Sequence, residues 1–281
     1  MASKPTNNFP RRFVFHGNAV AAAVYLTRIG DVEQSVIHPF TGQSSLPVIG
    51  GRSESDVPKP VIPPELKGIV SHGAMRTKAH GVFVGKNAVT SVEASVKDVR
   101  VINAQSASAS PIEFQAGTLA LSMRSTHPPK GQPRIEFVET PDFDGLSLDG
   151  QPIELELNTE LMRHSRFNDL EKRFRTNRAF FDSCPFGLAN PKRPLTFGKK
   201  VPYTPGSYAI CSLVRRFTWG GRTIEGHVLA QPGFGTIYFG EILLSERQRR
   251  FTMVRIQLGS RHRGAVSFSC GDPNGTTWPP L

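Results

Sequence analysis

Residues 89–102 read Val-Thr-Ser-Val-Glu-Ala-Ser-Val-Lys-Asp-Val-Arg-Val-Ile. Val92, Ala94 and Val96 share one side of an extended chain, while Ser91, Glu93, Ser95 and Lys97 share the other. Successive side chains of a strand point to opposite faces, so this alternation predicts a strand with one buried and one wetted face. Half-buried strands belong to antiparallel sheets, and this stretch sets the expectation for the chain.

Toward the C-terminus, further strands are predicted at 112–123, 134–139 and 153–157. Asp149-Gly150 supplies a hairpin turn, because glycine accepts positive φ without a Cβ clash. Residues 208–219 and 222–230 flank Gly220-Gly221 as one hairpin. Residues 236–245 and 251–258 flank the polar turn Glu246-Arg247-Gln248-Arg249-Arg250 as another, with Val254, Ile256 and Leu258 on its buried side. A last strand covers 265–270, and Asp272-Pro273-Asn274-Gly275 reads as a turn-rich tail. Toward the N-terminus, 14–26 is the strongest strand. Residues 52–64, with Pro58, Pro60, Pro63 and Pro64, read as an extended connection, since proline removes a ladder donor.

One helix is expected, starting near Thr159 or Ser165. It carries Phe167, Leu170 and Phe174 at helical spacing with Phe181 returning to the same side, and Pro185, Pro191 and Pro194 follow it as breakers. The fold class is therefore mainly β: an antiparallel β-sandwich or open barrel with one central amphipathic helix. Its segments are a basic N-terminal arm over 1–12, a β-rich portion over 13–157, the helix and Pro-rich connection over 158–204, and an antiparallel β meander over 205–281. The meander either shares one core with 13–157 or forms its own.

The 281 residues are 38% hydrophobic and 20% charged, too apolar for disorder and without a run long enough to span a bilayer. Arg11 and Arg12 before an apolar stretch faintly mimic an export signal, but His16-Gly17-Asn18 interrupts it. A cytoplasmic location is favoured without being fixed. Cys184, Cys211 and Cys270 are far apart and lack CxxC spacing, so they read as buried free thiols. Pairing of Cys211 with Cys270 is left open.

No catalytic motif survives its context. GxxxxGK[ST], GxSxG and HExxH are absent, and Gly233-Phe234-Gly235 precedes a predicted strand where a nucleotide loop needs a helix. His16 reads as a structural histidine. Asp142, Asp144 and Asp149 lack the spacing of a calcium loop, and no cofactor or metal site is expected. Glu136, Glu139, Glu154 and Glu156 fall on predicted strands, with Glu154 and Glu156 on one face, as a glycan-cleaving carboxylate pair requires.

Lys and Arg outnumber Asp and Glu by 34 to 23, a net charge of +11, which biases partners toward polyanions or anionic lipid. Arginine clusters form the candidate anion site: Arg173, Arg175 and Arg178 beside the helix, Arg215 and Arg216 on a strand, Arg247, Arg249 and Arg250 in a turn, and Arg261 and Arg263 before the last strand. The leading functional expectation is a noncatalytic β-rich binding or structural subunit that self-associates through sheet edges or its arm. The alternatives are a glycan-acting hydrolase and a polyanion-binding module.

Overall fold

The computed structural model describes residues 12–38, 42–183, 187–188, 196–199, 209–245 and 248–278. The chain runs through β1 (Arg12–Ile29), β2 (Val32–His38), β3 (Gln43–Ser45), β4 (Gly51–Val57), a 3-10 turn (Pro64–Leu66), β5 (Val70–Ser71) and β6 (Met75–Val84). It continues as β7 (Asn87–Asn103), β8 (Ile112–His127), β9 (Arg134–Phe137), β10 (Asp142–Asp144), β11 (Ser147–Leu148) and β12 (Gln151–Leu157). Three helices follow: α1 (Thr159–Arg163), α2 (Phe167–Thr176) and α3 (Arg178–Ser183). The remaining strands are β13 (Gly187–Leu188), β14 (Ala209–Ser212), β15 (Val214–Trp219), β16 (Arg222–Glu225), β17 (Val228–Gln231), β18 (Gly235–Leu244), β19 (Arg249–Gly259) and β20 (Arg263–Trp278).

These strands form two antiparallel sheets. Sheet A has the order β13-β14-β18-β19-β20-β1-β2, with β17 beside β18 and β3 beside β1. Sheet B has the order β16-β15-β12-β11-β8-β7-β6-β4, with β9 and β10 beside β8 and β5 beside β7. The sheets face each other as a sandwich, and the alternating residues of 89–102 lie on β7 near the middle of sheet B. Their approach is close. A Cβ at Gly271 of β20 would lie 2.6 Å from Leu121 Cδ1 and 3.2 Å from Val92 Cγ2, so a side chain there would have to displace Leu121 of the facing sheet.

The burial alternation slips by one residue partway along the central strands. In sheet A the slip occurs at Ala21/Ala22, Met253/Val254, Ser269 and Gly240, with positive φ of 49° at Ser269 and 62° at Gly240. These residues form one row across β18, β19, β20 and β1, and the ladder skips a pair there while the register on both sides is unchanged. In sheet B the matching irregularity is Asp98, with φ 51°, opposite Gly117. A lone slip would turn half of each strand toward solvent; slips aligned in one row keep both halves facing one core. That core is continuous and takes in Ala19, Val92, Leu121, Phe174, Phe217 and Phe268. Ser269 Oγ donates to Leu119 O at 2.8 Å, joining the two sheets at the seam.

Several expectations require correction. The single helix is three short ones, because side-chain caps interrupt the pattern: Asn158 Oδ1 accepts from Leu161 N at 3.1 Å and Asn177 Oδ1 accepts from Phe180 N at 2.8 Å. Phe180, stacked on Phe174 at 4.9 Å, is the buried ring after α2, and Phe181 is only half-buried. The connection expected over 52–64 begins as strand β4, paired with β6 through Gly51↔Gly81 to Val57↔Met75. The tail expected at Asp272-Pro273-Asn274-Gly275 is strand, with Pro273 opposite Gly17. Proline is tolerated because the β19 ladder ends at Phe251↔Gly271, leaving no partner for an N–H on that side. The hairpin around Gly220-Gly221 is narrower than expected: β15 and β16 pair in sheet B, whereas β14 and β17 belong to sheet A. Residues 1–11 of the predicted arm lie outside the described residues, and Arg12 opens β1. Cys184, Pro185, Pro191, Pro194 and Arg247 also lie outside them.

Candidate functional site

The arginines do not converge. Arg173 is paired with Glu160 and joins α2 to α1, and Arg178 is paired with Asp182 at 2.7 Å within α3. Arg175 sits half-exposed on α2. Arg216 and Arg215 both reach Glu156, at 2.6 and 3.6 Å. Arg249 and Arg250 belong to strand β19 and not to the expected turn. Arg249 is 4% exposed and donates from Nη1 to Ile135 O at 2.9 Å and from Nη2 to His164 O at 3.1 Å. Arg261 and Arg263 follow the far end of β19, a separation of roughly 30 Å along the strand. Arg261 Nε is buried without a partner among the described residues.

The carboxylates are also dispersed. Glu136 faces Arg124 across β8 and β9, and Glu139 follows β9. Glu154 and Glu156 lie on the outer face of β12. Glu154 lines a cleft of about 440 Å³ with Phe143, Leu146 and Pro152, and it is the one acid in that lining. Glycosidic cleavage uses two carboxyl groups across one bond. Asp142 and Asp144 lie on β10, and Asp149, with φ 52°, and Gly150, with φ 71°, form the β11–β12 turn.

The outer face of sheet A carries a polar array. Arg255 donates to both oxygens of Glu241 at 2.6 and 2.8 Å, with its guanidinium 3.8 Å from the Tyr238 ring centre. His227 Nδ1 and Asp272 Oδ1 are buried without partners among the described residues. Burial pushes the His227 imidazole below its ordinary pKa, against the pull of the Glu241 carboxylate. Burial likewise pushes the Asp272 carboxyl up, opposed by the Gln248 amide at 2.8 Å and by the Arg250 and His16 charges. His16 itself is exposed on this face, opposite Asn274. Cys211 and Cys270 are buried and not bonded to each other, and burial pushes the Cys270 thiol up, which disfavours a nucleophilic thiolate. No metal-holding group of His, Cys, Asp and Glu occurs among the described residues.

The feature that sequence reasoning anticipated only in general terms is an open edge. β2 ends sheet A, and its residues Val32 to Ile37 are exposed apart from half-buried Val36. Val32 is 58% and Ile37 67% exposed, and Ile37 faces Tyr25, itself 46% exposed, across the β1–β2 ladder. The strand contains neither lysine nor proline; its guards are Glu33, 3.9 Å from Arg28, and the bulge at Leu26/Arg28, both at its Val32 end, which leaves the Val36–Ile37 end without a charge. The other terminal strands are blunted: β4 carries Arg52, Glu54 and Asp56, β16 has 4 residues and β13 has 2. The signal in the sequence was Val32-Glu33-Gln34-Ser35-Val36-Ile37-His38, a short run that reads as a strand without stating where it lies in a sheet.

No curated protein and no solved structure matches the chain. A family model matches residues 13–196, more than half of the chain, from the start of β1 past α3. That span includes the whole β1–β2 edge, and the chain belongs to the family described as Domain of unknown function (DUF8256).

Proposed function

We propose that the protein is a noncatalytic β-sandwich subunit that associates with a second copy of itself by adding strand to strand at β2. The observation that carries this reading is the β2 edge, whose outward backbone groups pair with no other strand among the described residues and which is flanked by exposed Val32, Ile37 and Tyr25. An antiparallel β2–β2 contact about a two-fold axis satisfies the outward N–H and C=O groups of both copies and buries the flanking apolar side chains. The distribution of charge favours the same reading, since arginines that could have formed an anion site are engaged within the fold at Glu156, Glu160 and Asp182.

The test is molar mass by light scattering after size exclusion. The native chain should elute at twice the chain mass, and Val32→Lys/Ile37→Lys should elute as a monomer with an unchanged far-UV spectrum. A native monomer at high concentration, or a dimer that tolerates both lysines, would refute the proposal. Ser55→Lys on β4 serves as the control and leaves the mass unchanged.

A further inference from the structure

One end of the sandwich exposes apolar side chains from two adjacent turns. Ile49 is 85% exposed, Val48 59%, Phe83 55% and Val84 59%. The turns are neighbours. Gly51 pairs with Gly81, a Cβ on Gly50 would lie 2.8 Å from Gly81 O, and Phe15 N donates to Val48 O at 3.0 Å. Phe83 packs edge-on to Phe15 at 5.4 Å, and Phe15 packs on Phe13 at 4.9 Å, so the exposed rings and aliphatic groups stand on a rigid aromatic base.

The segments that build this tip carry charge of one sign, and the acid nearest to them in α2 is exposed Asp169, next to Asn168, which bonds Gln132. Segments 12–18, 46–52, 82–90, 125–134 and 274–278 contain no Asp or Glu. Their cations are Arg12, Arg52, Lys86, Lys130 and Arg134, all exposed, of which Arg52 is paired with Glu54. The pairings Ala88↔His127 and Thr126↔Arg134 bring the Lys130 connection beside the Lys86 hairpin. We propose that this end docks on an anionic lipid bilayer. Ile49, Phe83 and Val84 enter the boundary between headgroups and acyl chains, and Arg12, Lys86 and Lys130 meet the lipid phosphates. A lipid surface fits because the apolar groups project from turns and the exposed cations around them match lipid phosphates; β6, which carries Phe83 and Val84, pairs with β7 on one side, and the β4 ladder on its other side ends at Gly51↔Gly81.

The test is co-sedimentation of the full chain with large vesicles of phosphatidylcholine alone and of phosphatidylcholine with phosphatidylserine. Binding is expected to the mixed vesicles only. It should fall at least tenfold in Ile49→Ser/Phe83→Ser and remain in Val61→Ser, which removes an exposed apolar residue elsewhere. No binding to mixed vesicles would overturn the proposal. Binding that salt abolishes but Ile49→Ser/Phe83→Ser leaves intact would also overturn it, as adsorption by charge alone. So would loss of dimerisation in that variant without vesicle binding, which would make this end a protein contact.

Discussion

Replacing Arg249 separates an arginine that builds the fold from one that binds an anion. Its guanidinium bonds the Ile135 and His164 carbonyls, tying β9 and the link between α1 and α2 to sheet A. No carboxylate among the described residues neutralises it, and burial pushes its pKa down to about 10, a cost of roughly 3 kcal/mol for keeping the charge inside. Two charge-assisted bonds contribute about 3–6 kcal/mol. Arg249→Met loses both bonds but recovers most of the burial cost, leaving a net loss of about 1–3 kcal/mol. Arg249→Lys reaches one carbonyl at most and keeps a charge whose ammonium is more strongly hydrated than the guanidinium and costs more to bury, so it should be the less stable variant. At about 2–4 °C per kcal/mol, thermal melts resolve the order. An anion-binding arginine would behave in the opposite way, with lysine the milder change and stability unaffected. A lysine variant as stable as the native chain, with methionine no less stable, would refute the reasoning.

Acidification should weaken the fold between neutral pH and about pH 5.5: burial holds His227 and His262 below their ordinary values, so the unfolded chain takes up protons first. Urea midpoints should fall over that range, and His227→Phe should flatten the slope; Asp272, held high by burial, works in the opposite direction as pH falls further. Gly264→Ala should cost more than about 1 kcal/mol, because Gly264 has φ 139° and a Cβ there would overlap Tyr25 O; an unchanged melt would contradict this. Cys211 and Cys270 should resist thiol reagents in the native protein and react fully in urea, as read by peptide mass mapping, since they are 0% and 5% exposed.

The fold class was legible because local pattern carries it. The alternation of 89–102 identified β7, and Asp149-Gly150 identified the β11–β12 turn, each from physics confined to a few residues. What sequence could not show were outcomes of tertiary context. The seam through Gly240, Met253, Ser269 and Ala21 depends on positive φ angles at Gly240 of β18 and Ser269 of β20 falling in one row on either side of β19, and only the assembled sheet reveals that alignment. Pro273 reads as a turn until the end of the β19 ladder is known. Arg249 reads as a turn charge until β9 and His164 are seen to cover it.

The candidate site was less legible for the same reason. A cluster of arginines along the chain states charge but not destination, and the structure engages Arg173, Arg178 and Arg216 with carboxylates. An edge is a property of strand order, so Val32 and Ile37 acquire their significance only once β2 lies at the end of sheet A.

Strand addition at β2 is tested most directly by hydrogen–deuterium exchange at low and high protein concentration. Association through this edge predicts that amide protection rises with concentration in 32–38 and not in β4, because the outward N–H groups of β2 acquire partners. A doubling of mass with unchanged exchange over 32–38 would contradict the account and assign the contact to another surface.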